Sequence, residues 1–283
     1  MSGETANTDS DEQDDVRRHD LSASAIKTHN KCPKQYYLKY EAGLPRGDVN
    51  QYLVVGSLVH DTLETILNQY VDSGEEFASE NRLARKIKRE FHRREETDEY
   101  ETVLVSDRLR SDAIDSLDTA STFLVNENPT IRGIEVRSFF ELSEIKASAL
   151  GYMDVCTDTE IWDWKTGRAP DDNETDEDEI IQGSLYMGAY YHEYGELPES
   201  IKFVYIKEKT VRTIDASQDN WERMLQRARM LMNSIRGGRY PARPAESKCY
   251  WCSYEQHCSA SPVSIQQLQD KIDGGRHDLW NVV

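Results

Sequence analysis

Asp154 lies in Gly-Tyr-Met-Asp, and Asp163 and Lys165 lie in Asp-Trp-Lys-Thr-Gly. Both motifs fall in short β-branched or aromatic runs bounded by turn residues, which read as consecutive strands. Side chains alternate along a strand, so Asp163 and Lys165 share one face and Trp162 and Trp164 the other. If the two strands pair as a hairpin, the two carboxylates converge into an oxygen-rich site for a hard divalent cation. A lysine beside such a site can orient a water or offset charge building at phosphorus. A bound cation lowers the pKa of its water, so hydroxide is available near neutral pH. Taken alone, an Asp-x-Lys on a strand is more often a solvated face or an ion pair. His60, in Gly-Ser-Leu-Val-His-Asp-Thr-Leu-Glu, offers an imidazole from an upstream helix, although a lone helical histidine is more often structural. Gln182 and Tyr186, spaced i, i+4 in Gln-Gly-Ser-Leu-Tyr, share one helix face.

A second set of residues is thiol-based. Cys249, Cys252 and Cys258 stand in C-x2-C-x5-C near the C-terminal end. Three thiolates do not close a tetrahedral or cubane site, and Cys32, far upstream, is the natural fourth. Zinc, the main alternative, more often takes two close pairs; one plus three fits an iron–sulfur cluster better. Either group would staple the two ends of the fold. Cys156, in a strand beside Asp154, reads as a small buried residue.

The elements that must position these residues follow from periodicity. Residues 1–19 are acidic and poor in apolar side chains and read as a disordered leader. Ser22 or Ser24 can cap a first helix that Pro33 ends beside Cys32. Leu53, Val54, Leu58, Leu63, Ile66 and Leu67 follow a helical period, and 77–96 and 107–126 read as further helices. Three strands come next, then a helix over Glu179–Gly195, two strands with a turn near Lys207–Thr210, and an amphipathic helix stopped at Gly237–Gly238. The cysteine module and a polar tail from 263 complete the order, which implies an α/β core preceded by a helical portion. The 283 residues carry 34 Lys+Arg against 52 Asp+Glu, a formal net charge of −18. On its face that opposes binding to phosphates. It also suits a protein working in concentrated salt, where excess carboxylates stay hydrated, and local charge then matters more than the total. No secretion signal or membrane-length apolar run stands out, so a soluble, cytoplasmic protein is expected, in which clustered cysteines point to metal.

In chain order, SASAIKTHNKCPKQYYLKY, GSLVHDTLE, GYMD, DWKTG, QGSLY and CYWCSYEQHC resemble the PD-(D/E)XK nuclease superfamily in its iron–sulfur-stapled, RecB-like branch. That branch includes the AddB nuclease domain and CRISPR-associated adaptation nucleases. The resemblance implies a restriction-endonuclease-like mixed sheet flanked by helices over residues 20–262, with a helical insertion at about 77–126. It implies a DNA nuclease, with exonuclease action on single strands or frayed ends, serving repair, recombination or CRISPR adaptation. His60, Asp154, Asp163 and the Trp164 carbonyl would hold Mg2+ or Mn2+, Asp154, Asp163 and Lys165 would be the catalytic set, and Gln182 and Tyr186 would support the site and DNA. Glu135 could join the acidic site. Cys32, Cys249, Cys252 and Cys258 would ligate a 4Fe–4S cluster. A helicase or CRISPR adaptation proteins are the implied partners. A non-catalytic DNA-binding or assembly subunit on the same fold, and a zinc-stapled enzyme of other chemistry, are the alternatives.

Two features depart from the family. Asp163 stands where Glu is frequent, which shortens the reach. The run 171–179, Asp-Asp-Asn-Glu-Thr-Asp-Glu-Asp-Glu, puts seven acids beside a site that must admit phosphates. Opposing them, Lys27, Lys31, Lys34 and Lys39 surround Cys32. Arg82, Arg85, Lys86, Lys88, Arg89, Arg93 and Arg94 crowd one helix, either a solvated face or a DNA-contacting arm.

Overall fold

The computed structural model describes residues 21–45, 51–97, 100, 105–171 and 176–264. The expected leader and all but the start of the expected polar tail lie outside these residues. Eight α-helices occur among them: α1 (Ala23–Lys31), α2 (Pro33–Tyr36, running into a π turn over Tyr37–Glu41), α3 (Gln51–Ser73), α4 (Glu80–Glu95), α5 (Asp107–Glu127), α6 (Glu177–Tyr194), α7 (Gln218–Gly237) and α8 (Glu246–Tyr250). The strands are β1 (Leu21–Ser22), β2 (Ile131–Leu142), β3 (Ala147–Thr157), β4 (Glu160–Lys165), β5 (Ser200–Tyr205) and β6 (Thr210–Asp215).

Local chemistry sets the helix ends. Ser22, Ser106 and Ser217 cap α1, α5 and α7 through their hydroxyls, and Asp176 caps α6 through its carboxylate. Cys32 is extended because Pro33 follows it, and α1 stops there. Gly195 and Gly238 end α6 and α7 in the left-handed region, where a Cβ is costly.

The six strands form one mixed sheet. Along it run β1, β3, β4, β5 and β6, with β2 antiparallel to the whole of β3. β1–β3 and β4–β5 are parallel, and α6 supplies the crossover that parallel neighbours require. The β3–β4 hairpin is short: only Val155–Trp162 and Cys156–Ile161 pair. Beyond those pairs the strands splay, and β1, leading straight into α1, takes the place beside the start of β3.

Each sheet face has its own core. Ile26, Met153, Ile161, Leu185, Phe203 and Leu231 fill the one beneath α1, α6 and α7. Leu63, Leu83, Phe91, Leu117, Trp162 and Trp164 fill the one beneath α3, α4 and α5. Both indoles are almost fully buried, as the alternation of β4 requires, and truncating either would cost about 3–5 kcal/mol. The helices within 77–126 therefore form one of the two covers of the sheet. The cations of α4 are mostly spent locally. Arg93 and Arg94 pair with Glu90, Lys88 pairs with Asp118, and Lys86 lies over the Tyr70 ring. That favours the solvated, ion-paired face over a DNA-contacting arm.

Candidate active site

The site lies where β3 and β4 splay apart. Asp154 is just beyond the last β3–β4 pair on one strand, and Asp163 and Lys165 just beyond it on the other. The residues inferred from the sequence gather here in two halves, one on each side of the sheet.

On the α3 side, His60 Nδ1 is 3.3 Å from Asp154 Oδ2, and the same oxygen accepts the Trp164 backbone N–H at 2.8 Å. Glu135 of β2 joins them. One ligand atom each from His60, Glu135 and Asp154 all lie within 4.8 Å of one another, the only such trio among the described residues. Glu135 is held at φ +49, a left-handed conformation unusual for a non-glycine residue on a strand. Strain of this kind costs of order 1–3 kcal/mol and gathers at functional sites. The β3 strand is irregular at the same level: Val155 faces the core under α3, while Met153 and Cys156 both face the core under α6.

On the α6 side, Lys165 Nζ is 2.6 Å from Asp163 Oδ2, an ion-pair distance. Gln182 is the hub. Its Nε2 donates to Asp163 Oδ1 and to the Tyr186 hydroxyl, each at 2.7 Å, and Tyr186 donates to Asp163 Oδ1 at 3.1 Å. Its Oε1 accepts from Lys165 at 3.0 Å and from Lys27 at 2.8 Å. Lys27 is the residue the motifs did not single out beyond its place in a basic stretch. Its position follows from β1 entering the splay and carrying α1 in with it. Lysine at that position on a capped helix gave no signal by itself.

The charges are mutually adjusted. Burial opposes the His60 imidazolium, but the Asp154 carboxylate, with Asp163 and Glu135 beyond, raises its pKa to about 9. Burial, then the neighbouring Asp154 charge, lifts Glu135 to about 7. Burial, with Asp154 adding to it, pushes Asp163 up in spite of Lys165. Burial and the Lys165 charge lower Lys27. Three carboxyls crowded with an imidazole are a donor set that a divalent cation would relieve, and its oxygen-rich chemistry fits Mg2+ or Mn2+.

The acidic run after β4 is only partly a loop. Asp176 caps α6 and Glu177–Glu179 form its first turn, where carboxylates suit the helix dipole. Glu177 pairs with Arg223 and Arg227, and buried Glu179 pairs with Arg212. Residues 172–175 of the run lie outside the described residues.

Cys32, Cys249, Cys252 and Cys258 line one cavity of about 450 Å³, counting the solvent at its mouth, together with Lys31 and Arg243. Successive turns, Cys252 N–H to Cys249 and Cys258 N–H to Glu255, present the three C-terminal thiols. Arg243 ties the ends together, donating from its backbone to Cys32 Sγ at 3.4 Å and from its guanidinium to the Asn30 carbonyl at 2.6 Å. As they stand, no three thiols come within 4.8 Å of one another. Cys156 is buried against Met153 Sδ, and burial pushes its thiol up to about 12. It is the inert small residue expected. No helix among the described residues is long and apolar enough to cross a membrane.

A sequence model described as the PD-(D/E)XK nuclease superfamily matches residues 20–259. No curated protein matches the chain in sequence. Among solved structures, a Eubacterium rectale protein provisionally named an exonuclease shares the fold at TM-score 0.53 and 16% identity, over 94% of this chain and 98% of that one. A second, SSO0001, overlaps at TM-score 0.41 and 12% identity over 86% and 87% of the two chains, a likeness too loose to bear on the fold. With a family match running from β1 past the third cysteine of the C-terminal module, the chain belongs to the PD-(D/E)XK nuclease superfamily.

Proposed function

We propose that this nuclease is a divalent-metal-dependent deoxyribonuclease of the RecB-like branch, acting on single strands or frayed ends. The convergence of His60, Glu135 and Asp154 with Asp163 and Lys165 at one strand splay is the observation that carries the proposal. His60, Asp154 and Asp163, with Glu135 and the Trp164 carbonyl, are the groups that would hold the cation. When bound, that cation supplies hydroxide from its water near neutral pH. Lys165 presents an ammonium to the phosphate oxygens at the site, where fixed charge is worth more than in water. Gln182 sets the direction of that ammonium and of the Asp163 carboxylate at once, and Tyr186 donates to the same Asp163 oxygen as Gln182. Cleavage of end-labelled single- and double-stranded DNA with Mg2+ or Mn2+, beside Lys165→Ala, tests the reading. Metal-dependent cleavage lost in the variant supports it. Equal cleavage by the variant rejects it.

The four cysteines sharing one cavity support a 4Fe–4S cluster as a structural staple. One thiol from the start of the fold and three from its end, lining one cavity, suit such a staple. Iron and acid-labile sulfide assay of anaerobically purified protein decides this: zinc without iron removes the cluster and leaves the nuclease reading intact.

A further inference from the structure

Past the candidate site, the α3-side face of β2 and β3 has no helical cover among the described residues. Two residues before Asp154 on β3 stands Tyr152, about 7 Å away along the strand, and 46% exposed. Its cross-strand partner is Arg137, two residues after Glu135 on β2. The next position on that face of β2 is Phe139, 39% exposed. The Arg137 guanidinium carbon sits between the rings, 4.7 Å from the Phe139 centroid and 5.9 Å from that of Tyr152. No carboxylate among the described residues forms an ion pair with Arg137, whereas the nearby Arg132 of the same strand is paired with Glu196. Exposed apolar residues elsewhere, such as Leu197 on a loop and Val71 on α3, have no such grouping.

Two aromatic faces flanking an uncommitted guanidinium, in line with a carboxylate cluster, match one ligand chemistry. Unpaired bases offer π-faces to the rings, and the phosphates between them offer charge to the arginine. A duplex keeps its base faces stacked inside and offers the rings nothing. We propose that Phe139, Arg137 and Tyr152 form a stacking track along which the bases of a single DNA strand are gripped as its backbone enters the site. The proposal rests on the nuclease reading of that site and adds the residues that grip the strand. Continuity with the Asp154–Glu135 cluster and the positive charge of Arg137 together select this occupant.

The test separates binding from cleavage. Binding is measured by fluorescence anisotropy with Lys165→Ala protein and no divalent metal, on a labelled single-stranded oligodeoxynucleotide and on its duplex. Tyr152→Ala and Phe139→Ala, both at exposed positions, should each weaken single-strand binding about tenfold, the order expected for one stacked base. Duplex binding should not change. Tyr152→Trp should restore the affinity, and Arg137→Ala should lower the salt dependence by about one phosphate contact. An oligonucleotide made abasic throughout should bind wild-type and Tyr152→Ala protein alike. Unchanged single-strand affinity in both alanine variants overturns the track, as does equal weakening of duplex binding. Failure of the wild-type protein to cleave, with these binding differences present, would remove the nuclease reading and leave the track standing.

Discussion

Gln182 holds both halves of an electrostatic balance, and replacing it tests the reasoning about the site. It is 7% exposed, and its amide oxygen serves two ammoniums while its amide nitrogen serves a buried carboxylate and a phenol. Gln182→Met keeps the volume and removes all four contacts. Lys27 and Lys165 are partly exposed and can turn to water, but Asp163 Oδ1 is left with Tyr186 alone. Losing a buried hydrogen bond to a charged group costs about 1.5–3 kcal/mol. In a chain of this size that lowers the melting temperature by roughly 3–5 °C. Gln182→Glu behaves differently. It keeps the acceptor for both lysines and sets a second carboxylate 2.7 Å from Asp163 Oδ1, where the amide donor was. The two carboxyls then share a proton, so the folded state binds more protons than the unfolded one and the stability deficit grows as pH rises. Thermal melts of both variants from pH 5 to pH 8 are the assay. The Met deficit should be nearly constant, and the Glu deficit should be smaller at pH 5 than at pH 8. A Met variant melting within a degree of wild type, or a Glu deficit independent of pH, refutes the balance. Under the proposed mechanism, Gln182→Met also loses about a hundredfold in kcat, the order expected when a catalytic group shifts by an ångström.

Lys27→Met should leave stability at pH 7 unchanged or raise it slightly, because it removes a half-buried ammonium that desolvation and the Lys165 charge oppose, while lowering cleavage at least tenfold; melts and single-turnover rates together check this. Mn2+ binding should release protons near pH 7, because the cation needs His60 neutral and Glu135 ionised, and their pKa values lie at about 9 and about 7. Affinity should therefore rise from pH 6 to pH 9, measured by calorimetry in buffers of different ionisation enthalpy. His29, buried and bonded to Ser234, has its pKa depressed to about 4 by burial and then by the Arg243 charge. Its contribution is complete above the unfolded value of about 6.5 and is lost as pH falls toward 4. With solvent screening that is about 1–2 kcal/mol, and His29→Gln should flatten the stability profile across that window. Cys258→Ser should remove any iron absorbance and make both terminal regions more sensitive to limited proteolysis than the sheet.

Much of this fold is legible from periodicity because its elements are locally consistent. Trp162 and Trp164 alternate with Asp163 and Lys165, and that alternation alone assigns one face of β4 to a core and the other to chemistry. Ser22, Pro33 and Gly238 mark helix ends for reasons of backbone geometry that need no tertiary knowledge. What was not legible depends on contacts distant in sequence. β1 is two residues long and has no period to detect, yet it brings Lys27 to Gln182, 155 positions away. Glu135 carries no motif. Its place at the site comes from β2 register against β3 and from a left-handed φ that its residue type does not announce. Arg137 and Tyr152 look like ordinary alternating strand residues until the pairing sets them side by side.

The net charge poses a problem that the arrangement of charges answers. A chain at −18 should repel a polyanion, but repulsion is decided within a Debye length, about 8 Å at physiological ionic strength. The acids nearest the site are largely committed. Asp176 caps a helix, Glu177 and Glu179 are paired with arginines of α7 and β6, and Asp163 is paired with Lys165. Two lysines converge on one amide oxygen there, and an unpaired arginine lies on the sheet face leading in. Asp154, held against His60, and Glu135 are the carboxylates a divalent cation at the site would neutralise. It follows that metal should strengthen DNA binding far more than its role in chemistry requires. With Lys165→Ala protein, adding Ca2+ or Mn2+ should tighten single-strand binding at least tenfold at low salt, and the effect should shrink as salt rises. DNA affinity indifferent to metal would mean that the phosphates never come within reach of Asp154 and Glu135, and the strand would then have to cross the sheet elsewhere.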